Sequence, residues 1–206
     1  MTYWRNRFRL KGGNHSNLPL WVFILMFLLF WVSATVNSQD LTHPVWTSGL
    51  EVQQYPTGFI FSINGSRCFS SKSLLEVRFG YNLVRHRDLG VHEDERGGGF
   101  GASVGLVRSI ASDLDAKGWF LGGRFDVWFN NIDWRDGIGT NREIRGETEA
   151  IVLQPTALAG YRFFLNENWT IRPTVALGVE INVQEKGGEV GEGAILLWGL
   201  KILRLL

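Results

Sequence analysis

The side chains best suited to chemistry lie close together in one polar stretch of the sequence. His86 and His92 fall within His86–Glu95, which also carries several carboxylates. Imidazole and carboxylate groups together could coordinate a divalent cation, but their spacing matches no known ligand template. We therefore interpret the stretch as a solvated external loop, and we predict no metal site and no cofactor.

Hydrolysis through a covalent intermediate would require a serine beside a histidine and an orienting acid. His86 and Ser103 belong to adjacent predicted elements, but no predicted strand carries a histidine. The glycines of Gly97–Gly101 fit neither phosphate-loop pattern, and they lead into a strand rather than a helix. We predict that the protein has no catalytic residues and is not an enzyme. A membrane-embedded lipid-modifying enzyme remains an alternative.

The remaining charged side chains are spaced by the periodicity of β-strands. Between Trp169 and Val183 the odd positions are apolar, whereas the even positions include Arg172 and Glu180. Successive side chains of a strand point to opposite faces, so this segment has one apolar and one polar face. It suits either a soluble sheet over a core or a membrane barrel with its apolar face in lipid.

The same alternation recurs along the chain and predicts an all-β fold of eight antiparallel strands. The predicted strands are Leu50–Gln54, Phe59–Asn64, Leu74–Leu83, Phe100–Leu106, Trp119–Asn130, Ile151–Leu165, Trp169–Val183 and Ala194–Leu203. After the short first turn, short connections alternate with longer polar ones such as His86–Gly98 and Asp133–Glu147. This asymmetry is typical of transmembrane barrels, which have short periplasmic turns and long external loops. We therefore predict an up-and-down transmembrane β-barrel.

The placement of charge separates a membrane barrel from a soluble one. We predict a lumen charge network on the polar faces, in which acids and bases nearly balance because buried charges are costly unless paired. Its members are Glu51, Glu76, Arg78, Arg124, Asp126, Arg162, Arg172, Glu180 and Lys201. A soluble barrel would have aliphatic side chains inside and charges outside.

Aromatic residues near predicted strand ends suggest an interfacial girdle. Its predicted members are Tyr81, Trp119, Trp134, Tyr161 and Trp169. An eight-stranded barrel is just wide enough to be filled by side chains, so we expect no general diffusion pore. A narrow ion path is a further alternative.

The first forty residues predict export. A basic start precedes the apolar run Leu18–Trp31, and Val36 and Ser38 suit the small-residue positions of a signal-peptide cleavage site before Gln39. We predict a signal-peptide helix over residues 1–38 and a barrel domain over 39–206. The alternative is an uncleaved anchor, because Leu18–Val36 is just long enough to span a bilayer.

Composition narrows the functional classes further. The single cysteine, Cys68, excludes an intramolecular disulfide. Residues 1–38 contain four basic side chains and no acidic one, so their removal changes the formal net charge from +1 to −3. A mildly acidic protein offers no electrostatic basis for binding nucleic acid.

These features together resemble the small outer-membrane β-barrel proteins of Gram-negative bacteria, with barrels of OmpA or OmpX size. The resemblance covers Leu50–Leu203 and is architectural. It implies an outer-membrane location, a monomer, and contacts with membrane lipid, the barrel-assembly machinery and an external partner through the loops. Such proteins usually end on an aromatic residue, whereas this sequence ends Leu205-Leu206. The soluble alternative is a periplasmic ligand-binding barrel.

Overall fold

A computed structural model describes residues 46–89, 91–110 and 116–206. The predicted signal peptide lies outside the described residues. The predicted all-β class and the eight strands are confirmed. The strands are β1 (Trp46–Tyr55), β2 (Gly58–Cys68), β3 (Ser73–Arg87), β4 (Asp94–Ser109), β5 (Gly118–Asp136), β6 (Ile144–Phe164), β7 (Trp169–Lys186) and β8 (Gly193–Leu205).

The strands form one antiparallel sheet that closes on itself, because consecutive strands pair and β8 pairs with β1. The pairing is staggered: following partners once around the barrel from Ser73 returns to β3 at Leu83, ten residues further along. The path runs through Arg108, Leu121, Ala159, Val175, Trp198, Gln54 and Phe59. Such a stagger tilts the strands against the barrel axis, and closure leaves no unpaired edge.

The barrel has two different ends. The proximal end contains Trp46, Leu206 and the ends of the strands joined by the β2–β3, β4–β5 and β6–β7 connections. The distal end contains the β1–β2 turn and the ends of the strands joined by the β3–β4, β5–β6 and β7–β8 connections. The first and last described residues meet at the proximal end, where Leu206 N donates to Trp46 O at 2.9 Å.

Apolar side chains face outward and polar side chains face inward over the middle of the barrel. On β3, Val77 and Phe79 are exposed, whereas Glu76 and Arg78 are buried. Outward apolar positions on β5 extend from Trp119 to Phe129; at about 3.3 Å per residue and a tilt of about 40°, this band is about 25 Å tall. That height matches the apolar belt of transmembrane barrels.

The polar stretches predicted as long loops are mostly strand. β3 continues to Arg87 and β4 begins at Asp94, so His86–Gly98 contains only a short connection; Asp133–Glu147 likewise shortens to residues 137–143. Beyond the apolar band the outward positions are charged, as at Arg85 and Asp133, and inward positions include buried apolar residues such as Ile132. The apolar-outward alternation that identifies the strands in the sequence therefore ends there. Hydrogen bonding between neighbouring strands continues beyond the point where this alternation ends; β3 and β4, for example, remain paired as far as Arg87 and Asp94.

Two parts of the sheet depart from the regular pattern. β6 and β7 pair at Leu153 and Ile181, and again at Thr156 and Gly178, so the ladder is interrupted beside Pro155, which lacks an amide hydrogen. β8 is apolar on both faces because its inward residues Ile195, Leu197 and Leu203 are buried in the barrel interior.

Candidate functional site: the charged interior and the distal mouth

The barrel interior is arranged in layers. Near the proximal end the buried inward side chains include an apolar set alongside small hydroxyl residues such as Thr47 and Ser66; the apolar members are Cys68, Leu74, Val107, Phe120 and Leu203. Towards the distal end lies a second apolar set that includes Ile60, Trp128 and Leu197, each at most 1% exposed. Between them lies the charge layer, which we define as Glu51, Gln53, Glu76, Arg78, Arg124, Asp126, Arg172 and Lys201.

Arg78 is the most connected side chain of the charge layer. Its Nε donates to Ser103 Oγ at 2.8 Å, and its Nη2 donates to Asp126 Oδ1 at 2.7 Å. Its Nη1 donates to Gln53 Oε1 at 2.6 Å and to Glu51 Oε2 at 3.2 Å. One guanidinium therefore joins side chains from four strands: β1, β3, β4 and β5.

Arg124 binds the same acceptors from the other side. Its Nε lies 3.1 Å from Asp126 Oδ2, and its Nη2 donates to Gln53 Oε1 at 2.9 Å. Its Nη1 lies 3.4 Å from Glu51 Oε1. Each carboxylate is shared between two arginines, which is the pairing that buried charges require.

The second half of the charge layer is built around Glu76. Lys201 Nζ donates to Glu76 Oε2 at 2.6 Å, and Arg172 Nη1 donates to Glu76 Oε1 at 3.3 Å. Lys201 also lies 3.8 Å from Glu51 Oε1, which connects the two halves. Four basic side chains thus meet three acidic ones in a single buried network.

Two predicted members of the lumen network lie outside this layer. Arg162 is buried near the proximal end, where its Nη1 lies 3.5 Å from Ala116 O. Glu180 lies further towards the distal end and accepts a hydrogen bond from Gln154 Nε2 at 3.2 Å; Gln154 in turn accepts one from Trp128 Nε1 at 2.9 Å. All nine predicted charges therefore face inward, and seven of them contact one another.

Four of the five predicted girdle residues lie on the outward face. Trp119 and Tyr161 pack edge to face near the proximal end, with ring centroids 5.2 Å apart, and Trp169 is partly exposed at the same end. Tyr81 packs against Phe100 towards the distal end, at 5.0 Å. The outward set thus occupies both borders of the apolar band.

Trp134 does not belong to this outward set, and its assignment is corrected. It lies at an inward position of β5, where its Nε1 donates to Thr148 Oγ1 at 3.1 Å and its ring stacks on His92 with centroids 4.0 Å apart. The reason is strand parity: β5 continues beyond Asn130 without a break, so every even-numbered residue as far as Trp134 faces inward.

The distal mouth is held together by the histidines of the polar stretch. His86 Nε2 lies 3.0 Å from Glu95 Oε2, and His92 Nδ1 lies 2.8 Å from Asp136 Oδ2. His92 Nε2 is also 3.0 Å from Glu189 O. His92 therefore connects β5 and the β7–β8 connection to its own segment. The histidines of the stretch predicted as a solvated loop are both largely buried.

The carboxylates of the mouth are held in their charged forms. Hydrogen bonding to His92 lowers the pKa of Asp136, against a smaller opposing effect of desolvation. Burial alone would raise the pKa of Glu95, but hydrogen bonds from His86 and the His92 amide lower it overall. A hydrogen bond from Arg135 likewise lowers the pKa of Asp94.

The structure does not bring together the serine, histidine and acid that a hydrolase would require. Ser103 Oγ accepts a hydrogen bond from Arg78 in the charge layer, whereas His86 pairs with Glu95 at the mouth. Over residues 46–89, 91–110 and 116–206, no group of three or more His, Cys, Asp or Glu side chains is placed to hold a metal ion. In the same ranges no helix is long and apolar enough to cross a membrane.

Comparisons with known proteins support the fold. No protein-family model and no curated protein matches the sequence. The outer membrane protein AlkL, solved by solid-state NMR in DMPC bilayers, is 12% identical over 83% of this chain and 94% of its own, with a TM-score of 0.50. A major outer membrane protein from Thermus thermophilus is 13% identical over 80% of this chain and 100% of its own, also with a TM-score of 0.50. At these identities the likeness shows the fold alone: a closed eight-stranded barrel of the kind found in bacterial outer-membrane proteins.

Proposed function

We propose that this protein is a non-enzymatic, integral outer-membrane β-barrel that serves the envelope structurally or presents its distal end to an external partner. The observation that carries the proposal is the reversed distribution of polarity. Exposed apolar side chains surround an interior in which Glu51, Arg78 and Asp126 are almost completely buried. Lipid is the solvent that suits such an exterior.

The packed interior supports a structural or interaction role over transport. The charge layer is bordered on both sides by buried apolar side chains, including Phe120 on the proximal side and Trp128 on the distal side. An eight-stranded barrel is just wide enough to be filled by side chains, and these side chains occupy its interior together with the hydrogen-bonded charges. An open aqueous path would require many of these contacts to break together.

The distal end supports an interaction role, because the strands continue beyond the apolar band and present ordered polar surface. Arg145 and Glu143 form an exposed pair there, with Nη2 and Oε1 2.7 Å apart. In an outer-membrane orientation with the proximal end in the periplasm, this surface would face outward. Export by the predicted signal peptide and insertion by the barrel-assembly machinery belong to the same proposal.

The first test is location. The full chain, produced in a Gram-negative host, should fractionate with the outer membrane and migrate differently on a denaturing gel before and after heating. This is the behaviour of a closed barrel that resists detergent at room temperature. Recovery as a soluble periplasmic protein would overturn the proposal and favour a ligand-binding barrel.

Orientation in the membrane can be tested with single cysteines in a Cys68→Ser background. A membrane-impermeant maleimide should label Thr140→Cys in intact cells, because Thr140 lies in an exposed distal connection. The matched variant Leu121→Cys, on the outward face of the apolar band, should remain unlabelled until the protein is extracted and unfolded. Equal labelling of both would contradict a lipid-facing exterior.

A further inference from the structure

We infer that the outer wall of β1–β4 carries a binding site for a phosphorylated lipid of the outer leaflet. The site combines an oblique apolar groove for an acyl chain with an arginine cluster at the distal end of β3 and β4 for the phosphate. The inference rests on the proposed outer-membrane location. It adds that a single lipid molecule binds at this specific site.

The groove is a valley between two rows of outward side chains. Its floor follows the paired residues Glu51, Ser62, Gly80 and Gly101, whose side chains, where present, point inward. The distal wall is formed by Val52, Phe61, Tyr81 and Phe100, and the proximal wall includes Leu50, Ile63 and Phe79. Its volume of about 520 Å³ and its almost wholly apolar walls suit a hydrocarbon chain.

The direction of the groove points to the arginine cluster. Because the strands are staggered, a line of paired residues rises towards the distal end as it passes from β1 to β4. The groove therefore reaches its highest point at Gly101. From there, five residues of β4, or about 17 Å along the strand, lead to Arg96. The outward position between Phe100 and Arg96 is Gly98, which the edge of the Tyr81 ring approaches closely. A chain that links the groove to the cluster therefore passes over the packed pair Tyr81 and Phe100, an apolar aromatic surface.

The arginine cluster consists of Arg85, Arg87 and Arg96, all with exposed side chains just beyond the apolar band. Arg85 and Arg96 are direct cross-strand partners. Like charges at such positions repel, and a bound anion would convert that repulsion into attraction. Arginine pairs are well suited to phosphate because each guanidinium can donate two parallel hydrogen bonds.

Nearby acids only partly compensate the cluster. Arg96 Nε lies 3.2 Å from the Asp94 carboxylate, but Asp94 also accepts a hydrogen bond from Arg135 Nε at 3.0 Å. Asp133 is the cross-strand neighbour of Arg96 on the other side. Within the described residues, the side chains of Arg85 and Arg87 form no ion pair. The cluster therefore retains net positive charge at the level of lipid headgroups, where such charge attracts anionic lipid.

An amphiphile explains both halves of the site together. A soluble polyanion would use the arginines and leave the groove empty, whereas a second copy of this chain would cover the groove and leave the arginines unneutralised. A lipid with a phosphate above an acyl chain satisfies both halves. The experiment therefore varies phosphate and acyl chain separately.

The test measures binding of bisphosphorylated lipid A to the refolded full chain in nanodiscs of phosphatidylcholine, with native mass spectrometry to count retained lipid. We expect one retained lipid A per barrel and at least tenfold weaker binding by the double variant Arg85→Gln/Arg96→Gln. The matched control, Arg142→Gln/Arg145→Gln, removes two exposed arginines elsewhere on the distal end and should bind like the wild type.

The groove is tested by Phe100→Ala, which removes part of the distal wall. The control is Phe163→Ala, which removes an exposed aromatic residue from β6, outside the groove. We expect threefold or greater weakening for the first and no change for the second. Pyrophosphate, a soluble phosphate without acyl chains, should not displace the lipid at equal concentration. Displacement by pyrophosphate would show that the acyl chain and the groove do not contribute to binding. Equal binding by both arginine double variants would show that the arginine cluster does not contribute.

Failure of this inference is distinguishable from failure of the proposed function. Each sample is first checked for the heat-dependent gel shift of a folded barrel in its nanodisc. A barrel that inserts but retains lipid A no better than the arginine double variant contradicts the lipid site alone. A chain that never inserts contradicts the membrane proposal.

Discussion

The charge layer and the distal mouth both contain acid–base pairs, but their surroundings differ. In the charge layer, Glu51 and Asp126 are at most 1% exposed and each contacts two arginines. At the mouth, the carboxylate of Asp136 is about one-third exposed and pairs with a single histidine, His92. Water can replace a lost partner at the mouth but not in the layer. The same type of contact is therefore structurally essential in one region and adjustable in the other.

The largest expected effect is loss of one acid from the charge layer. Glu51→Gln leaves Arg78, Arg124 and Lys201 with less compensating charge in the barrel interior, so the free energy of unfolding should fall by about 3–5 kcal/mol. This free energy is measured by urea titration in lipid vesicles, with the folded fraction determined from the heat-dependent gel shift. The control Glu149→Gln removes an exposed acid from the distal part of β6 and should leave the midpoint unchanged. Equal midpoints for both variants would contradict the expectation that acids of the charge layer stabilise the barrel more than acids of the distal end.

A smaller effect is expected from crowding the distal apolar set that borders the charge layer. A Cβ added at Gly101 would lie 2.2 Å from Trp128 Cε3 and 2.4 Å from Val127 O. Gly101→Ala should therefore destabilise the barrel by about 1–3 kcal/mol, the usual range for overpacking. At Gly123 the nearest atom would be 3.8 Å away, so Gly123→Ala serves as the matched control. The contrast is measured by the same urea titration.

The smallest effect is expected at the mouth, and it depends on pH. The pKa of Asp136 is lowered from its ordinary value of 3.8 by the hydrogen bond with His92. Its stabilising contribution is therefore complete above pH 3.8 and is lost as the pH falls through the lowered pKa. Amide exchange, corrected for its intrinsic pH dependence, should accelerate a few-fold in residues 137–143 below that pH, with β5 amides near Arg124 unaffected. Asp136→Asn should abolish the pH dependence; an unchanged profile would exclude the His92–Asp136 pair as its cause.

The barrel could be predicted from sequence because lipid imposes a strict alternation on the strands. Trp169–Val183 shows both faces clearly, and the inward position of Arg172 follows directly from its parity. The partners of each charge could not be predicted in the same way. Lys201 meets Glu76 only because β8 closes against β1 and the stagger brings these residues to similar heights, and neither feature is visible in local periodicity.

The strands and side-chain positions of the distal region are harder to predict from the sequence. Sequence patterns detect these strands by an apolar outward face and a polar inward face, and above the apolar band this arrangement no longer holds, because Ile132 and Trp134 face inward between outward Asp133 and Arg135. The sequence alone therefore predicts Trp134 as a member of the interfacial girdle, whereas the uninterrupted parity of β5 places it inside the mouth. The sequence alone predicts a solvated His92, because its partners Asp136 and Glu189 belong to distant parts of the chain.

Closure by β1 and β8 also has a kinetic consequence. Thr47 pairs with Leu205, so the final seam joins residues from opposite ends of the barrel domain. Contacts between such distant residues form slowly, because the entropy of closing a long loop must be overcome before they stabilise the chain. Until that seam forms, β1 and β8 both present open edges able to pair with other strands. The last hydrogen bonds to form thus decide how long the chain remains exposed to aggregation, and a factor that aligns β8 with β1 would shorten that period more than one that acts on any other strand pair.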